Sequence, residues 1–132
     1  MLTPEQIAKS GTEHAEQSAL FAWAATSGFP ELRWMHAIPN GGERNQIVAA
    51  RMKAEGAKAG VFDIFLPYPL GKFAGCYIEM KKRGRQREKN GGLSDEQVLF
   101  QEWARNHYYC TFVCYSWTEG ASALQAYLNG SA

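Results

Sequence analysis

The period of the apolar positions changes several times along the chain, and each change marks an element. In TEHAEQSALFAWAAT, Glu13, Gln17, Leu20 and Ala24 recur at helical spacing on one face, and the pattern stops before Gly28 and Pro30. RWMHAIP predicts a short strand and NGGER a turn, after which residues 44 to 55, RNQIVAARMKAE, predict a second helix ending at Gly56. Next comes GVFDIFLPYPLGKFAGCYIEMKK, two apolar strands around a turn rich in Pro and Gly. Ser94 predicts the cap of a helix running through about Asn106, YYCTFVCYSW a strand, and TEGASALQAYLNG a closing helix with Gly130 at its end. The order α-β-α-β-β-α-β-α has no internal repeat or linker. It predicts one domain over residues 1–132, of α/β class, with a mixed sheet flanked by helices.

The hairpin carries charge where a sheet core should carry none. With its turn centred on Gly71, the antiparallel register sets Asp63 directly opposite Glu79, their Cβ atoms ~5 Å apart. Alternation sends Phe62, Ile64 and Leu66 with Cys76, Ile78 and Met80 to one face, and Asp63 with Glu79 and Lys81 to the other. Facing carboxylates repel, and a divalent cation removes the conflict. Hard oxygen ligands from Asp63 and Glu79 suit magnesium, and Lys81 then lies within reach of water bound there. An edge hairpin whose inward charges discourage aggregation is the bland alternative. It explains Asp63 or Lys81 alone, but not the set.

Composition narrows the classes. A length of 132 residues with 45% hydrophobic and 20% charged content fits a single core. No charged, apolar leader opens the sequence and no unbroken apolar run approaches the ~20 residues of a membrane helix, so a soluble, cytoplasmic protein with no membrane contact is expected. Cys76, Cys110 and Cys114 form no CxxC pair, which argues against a disulfide framework. A zinc site at His107, Cys110 and Cys114 fails on distance, because four residues of strand span ~13 Å. His14, His36 and His107 are scattered with no neighbouring nucleophile, and PLGK lacks the leading glycine and the Ser or Thr of a phosphate-binding loop.

The net charge of +1 conceals a cluster. Residues 81 to 89, KKRGRQREK, hold Lys81, Lys82, Arg83, Arg85, Arg87 and Lys89 against Glu88 alone. Followed by NGG, this reads as a flexible basic arm for a phosphate backbone, or as a solvated loop.

The Asp, a turn, then Glu-x-Lys in GVFD and IEMK resemble the PD-(D/E)XK nuclease signature. EHAEQ, AIPNGGERN, KAEGAKAGVFDIFLP, YIEMKKRG, LSDEQ and ALQAYL follow in the order of its VRR-NUC branch, from about Glu13 to Leu128. The resemblance implies a restriction-endonuclease-like αβββαβ core, here with an extra helix between the first and second strands. It also implies Mg2+ or Mn2+ as cofactor, and hydrolysis of phosphodiester bonds in DNA.

Carried over by position, Asp63, Glu79 and the Met80 carbonyl are metal ligands, with Glu13 as the acid of the first helix. Lys81 orients or activates the attacking water, and Gln97 matches the glutamine that follows the basic loop. Lys82, Arg83, Arg85, Arg87 and Lys89, with Asn40 and Arg44, are the expected DNA contacts. The family usually has Pro where this chain has Phe62. Glu13 stands three residues after Ser10 and Gln97 three after Ser94, so each also fits a capping box, and Glu16 is the substitute if Glu13 merely caps. Stand-alone members resemble homodimeric resolvases of four-way junctions. A non-cleaving nucleic-acid-binding module and a general or flap-directed nuclease are the alternatives.

Overall fold

The structure, a computed structural model, describes residues 1–39 and 45–132. Asn40 and Arg44, with the rest of the predicted turn NGGER, lie outside the described residues. A mixed sheet runs in the order β1 (His36–Ala37), β2 (Ile64–Leu66), β3 (Gly75–Met80) and β4 (Tyr109–Cys114). β2 is antiparallel to both β1 and β3, and β4 is parallel to β3. The helices are α1 (Pro4–Ile7), α2 (Glu13–Thr26), α3 (Gln46–Ala54), α4 (Asp95–Asn106) and α5 (Trp117–Leu128). This is the expected α/β architecture, with α3 as the extra helix between β1 and β2.

The hairpin register is the one its alternation predicts: Ile64 pairs with Ile78, Phe65 with Tyr77 and Leu66 with Cys76. Leu70 and Phe73 exchange both backbone hydrogen bonds at the tip, where Gly71 takes φ +58°. Pro67 and Pro69 lie between the strand and this tip and have no N–H to offer a ladder, so pairing lapses there. β3 lies between β2 and β4 and is buried along most of its length, Glu79 included.

One face of the sheet receives α2 and α5. Leu20, Leu124 and Tyr127 pack there on Ile64, Leu66, Cys76, Ile78 and Met80, each fully buried Leu or Ile contributing roughly 1.5–3 kcal/mol. The helices approach closely because residue 120 is glycine; a Cβ there would lie 2.9 Å from Leu20 Cδ2. The other face carries Phe65, Tyr77 and Tyr109 against Phe100 and Trp103 of α4.

Three local expectations need correction, and one short helix is additional. The strand predicted over RWMHAIP shrinks to His36–Ala37, because Pro30 opens a 3-10 helix that runs to Trp34. Phe62 does not join Ile64 and Leu66. Its ring packs 5.4 Å from that of Phe100, on the α4 side, because β2 begins only at Ile64 and the pleat does not extend back to residue 62. The cap of α2 is Thr12, not Ser10. A short helix, α1, precedes it, closed by a capping box of Thr3 and Gln6 that the apolar pattern does not reveal.

Gly60 joins the hairpin to α4. It has φ +96°, and a Cβ there would lie 2.5 Å from the backbone oxygen of Glu96 in the first turn of that helix. Gly60→Ala should therefore lower the unfolding free energy by roughly 2–3 kcal/mol in urea denaturation, against about 1 for Gly56→Ala. Gly56 also has positive φ, but it faces open space. Equal losses would mean that α4 does not rest on the backbone at residue 60.

Candidate active site

Beyond Ile64 and Ile78 the β2–β3 ladder continues through side chains. The Asp63 N–H donates to Glu79 Oε1 at 3.1 Å, and the Met80 N–H donates to Asp63 Oδ2 at 3.3 Å. The Asp63 carbonyl turns the other way and accepts from the Ile38 N–H at 2.6 Å, beside β1. Each carboxylate thus satisfies a backbone donor that the end of the ladder would otherwise orphan. The arrangement holds the two acids face to face.

Glu79 is 3% exposed and both of its oxygens are engaged. Oε2 accepts from Gln97 Nε2 at 2.8 Å and lies 3.4 Å from Lys81 Nζ. Burial, then the facing charge of Asp63, pushes the Glu79 carboxyl up to about 8; Lys81 and the Asp63 N–H pull against that rise. Asp63 is also raised, chiefly by burial, with a further push from the charge of Glu13. Lys81 is itself 8% exposed, and its N–H carries the β3–β4 pairing one step further, to the Cys114 carbonyl at 2.9 Å.

Gln97 plays both of the roles that its position allows. Its Oε1 accepts from the Ser94 N–H at 2.9 Å, completing the capping box of α4, while its Nε2 reaches Glu79. The helix start is thereby tied to the buried acid.

The two glutamates of α2 separate. Glu13 lines the cleft, and its Oε1 accepts from the Lys82 N–H at 3.2 Å. Glu16 is 1% exposed and turns towards α5, where its Oε1 accepts from the Trp117 N–H at 2.8 Å. There it meets an unpaired N–H at a helix N-terminus, where a carboxylate is favoured. Glu16 is thus committed to packing, and the cleft acid on this helix is Glu13.

Asp63, Glu79, Lys81, Gln97 and Glu13 line one cleft of about 700 Å3. Sequence reasoning missed the rest of its α2 wall. His14, Gln17 and Ser18 stand there beside Glu13, with Phe21 further along. Gln17 shares the helical face of Glu13 and so was legible, whereas His14 carried no signal apart from being next to Glu13.

The basic segment is a folded loop and not a free arm. Arg85–Arg87 form a 3-10 turn, Lys89–Gly92 curl back through left-handed Asn90 and Gly91, and the Tyr115 hydroxyl donates to the Gly91 carbonyl at 2.6 Å. Arg83 lies 3.7 Å from Glu16, and Arg85 pairs with Glu13 and Glu88. Lys82, Arg87 and Lys89 are exposed and make no ion pair among the described residues.

A hard divalent cation suits this donor set. Among the described residues no three His, Cys, Asp or Glu side chains gather into a metal-holding group, so the protein side chains that face each other here are the two carboxylates of Asp63 and Glu79. Two opposed carboxylates, both with raised proton affinity, are what magnesium relieves, since it commonly takes one or two protein carboxylates and fills its remaining positions from water and phosphate.

Because Glu79 binds its proton more tightly folded than unfolded, its contribution to the stability of the cation-free protein is full below its ordinary value of 4.5 and is lost as pH rises through about 8. Magnesium should therefore raise the melting temperature more at about pH 8 than at about pH 5. Asp63→Asn removes the facing charge and should flatten the pH dependence. Melting curves that respond neither to pH across this window nor to magnesium would mean that the pair is an ordinary hydrogen-bonded network.

No family model matches the chain, and no curated protein does. A solved structure described as a VRR_NUC domain protein superposes with a TM-score of 0.72 at 26% identity, over 89% of this chain and 88% of the other. Among the described residues no helix is long and apolar enough to cross a membrane. With its mixed sheet, its flanking helices and this likeness over most of its length, the chain shares the fold of that VRR_NUC domain protein, a nuclease-type fold.

Proposed function

We propose that the protein is a magnesium-dependent, structure-specific DNA endonuclease that works as a homodimer on four-way junctions or related branched DNA in the cytoplasm. The observation that carries the reading is the convergence of Asp63, Glu79, Lys81 and Gln97 on one open cleft. Asp63, Glu79 and the Met80 carbonyl would hold the cation, with Glu13 beside them. Manganese satisfies the same oxygen donors. When bound, the ion supplies positive charge at the scissile phosphate and makes water more acidic.

The chain's own groups do the rest. Lys81 Nζ, anchored by Glu79 Oε2, orients the attacking water and donates to the charge that develops on the phosphate oxygens. Gln97 Nε2 keeps Glu79 Oε2 turned towards Lys81, and the crossed backbone bonds fix both acids before substrate arrives. Lys82, Arg87 and Lys89 hold the DNA backbone without reading sequence. One such site cuts one strand, so paired cuts call for two chains, and a two-fold pair matches a branched substrate of the same symmetry. Trp34 and Trp103, 69% and 51% exposed, offer apolar area for pairing, whereas Trp23 and Trp117 pack on the core.

Asp63→Asn and Lys81→Met should each lower magnesium-dependent cleavage of a synthetic four-way junction by at least about 10²-fold while leaving DNA affinity in place. Glu79→Gln is a harsher change, because its new amide would face the donors of Gln97 and Lys81. Wild-type activity that persists in EDTA contradicts the metal-dependent reading. Binding without cleavage identifies a non-catalytic module. Equal cutting of junction and plain duplex by a monomer leaves a general nuclease.

A further inference from the structure

Arg85 lies inside the basic loop, and each of its guanidinium nitrogens has a partner within the chain. Nε meets Glu88 Oε1 at 3.1 Å, Nη2 donates to the Gly92 carbonyl at 3.1 Å, and Nη1 lies 3.6 Å from Glu13 Oε1. The loop is shaped around it. Gly92 has φ +87°, and a Cβ there would come within 3.2 Å of Arg85 Cβ. The Tyr115 hydroxyl pins the far end through Gly91. A guanidinium held on two sides by its own loop presents its third nitrogen in a fixed direction, which a lysine ammonium on a flexible stem does not do.

What it meets there is the cleft acid. Both contacts to Glu13, from Arg85 Nη1 and from the Lys82 N–H, fall on Oε1. Oε2 has no hydrogen-bond or ion-pair partner among the described residues. One oxygen of the carboxylate is tied to the loop, and Glu13 lines the cleft.

We propose that Arg85 is a positioning residue for Glu13: it holds that carboxylate in register with Asp63 and Glu79 and welds the DNA-facing loop to α2, and it is not itself a ligand of substrate phosphate. The inference rests on the nuclease reading above. It divides the basic segment into two classes. Lys82, Arg87 and Lys89 project from the surface and Arg83, its side chain 64% exposed, keeps only a 3.7 Å approach to Glu16, so these four are available to a backbone, whereas Arg85 is engaged by its loop and α2.

The experiment compares wild type with Arg85→Ala, Arg85→Lys, Arg87→Ala, Glu88→Gln, Glu13→Gln and the Glu13→Gln/Arg85→Ala double variant. Steady-state cleavage is measured in magnesium, the salt dependence of DNA binding in EDTA, and the magnesium dependence of the melting temperature without DNA. Arg85→Ala should lower kcat by on the order of 10- to 100-fold at unchanged KM, weaken the response of the melting temperature to magnesium, and leave the salt slope as in wild type. Arg85→Lys should not rescue it, and Glu88→Gln, which weakens one of the two loop contacts that fix Arg85, should lower kcat by less than Arg85→Ala does. The double variant should be no slower than Glu13→Gln alone, since Arg85 acts through that carboxylate. Arg87→Ala should instead raise KM and flatten the salt slope by up to about one.

An Arg85→Ala protein with a flattened salt slope and intact kcat would overturn the proposal and make Arg85 a phosphate ligand. Additive losses in the double variant would also overturn it, by reducing Arg85 to a loop scaffold. If wild type does not cleave at all, the nuclease reading fails separately. The salt slope and the magnesium response of Arg85→Ala then decide the proposal without any cleavage.

Discussion

The crossed pair of hydrogen bonds, from the Asp63 N–H to Glu79 and from the Met80 N–H to Asp63, is the constraint on which the site depends. An antiparallel ladder that stops in a buried place leaves backbone donors without partners, at a cost of about 1–3 kcal/mol each. Here the two carboxylates take over where the carbonyls stop, Glu79 for the Asp63 N–H and Asp63 for the Met80 N–H. The price is two acids in one low-dielectric space, seen in the raised proton affinity of both. Lys81 and Gln97 offset part of that repulsion. The proposed cation site rests on this residual repulsion, which added positive charge would relieve.

Much of this was legible in the sequence because the hairpin is a strictly periodic object. Once Gly71 is taken as the turn, alternation alone fixes Ile64 opposite Ile78 and brings Asp63 to Glu79. What the pattern could not supply was where pleating stops. Phe62 would join the core of Ile64 and Leu66 only if β2 began earlier, and the 3-10 turn at Pro30 likewise removes most of the first predicted strand. Glu13 and Glu16 were indistinguishable by spacing. Burial against the N-terminus of α5 separates them, and that is a tertiary fact. The capping-box spacing at Ser94 was a correct sign of a helix start, yet it did not exclude a site role, because the two ends of the Gln97 amide serve different partners.

The basic segment shows the limit of reading charge runs from composition. Its residues look equivalent in KKRGRQREK, and a flexible arm is the natural inference. Folding sorts them by geometry. Gly84, Asn90, Gly91 and Gly92 adopt positive φ and let the chain curl around Arg85, whose partners lie within the loop and on α2. A positive charge that is satisfied internally contributes little counterion release on DNA binding, whereas an exposed one contributes fully. On the proposed reading, counting basic residues overstates the charge offered to DNA, and the number of free side chains is the better guide to salt dependence.

The central claim is that the opposed carboxylates of Asp63 and Glu79 form a divalent-cation site. Anomalous diffraction from a crystal soaked in manganese tests it most directly, because manganese replaces magnesium at oxygen ligands and scatters anomalously. The account predicts an anomalous peak in coordination distance of both carboxylates, ~2.0–2.3 Å from their oxygens, that disappears in Asp63→Asn. Manganese located elsewhere, or no peak while Asp63 and Glu79 keep their crossed hydrogen bonds, would contradict it.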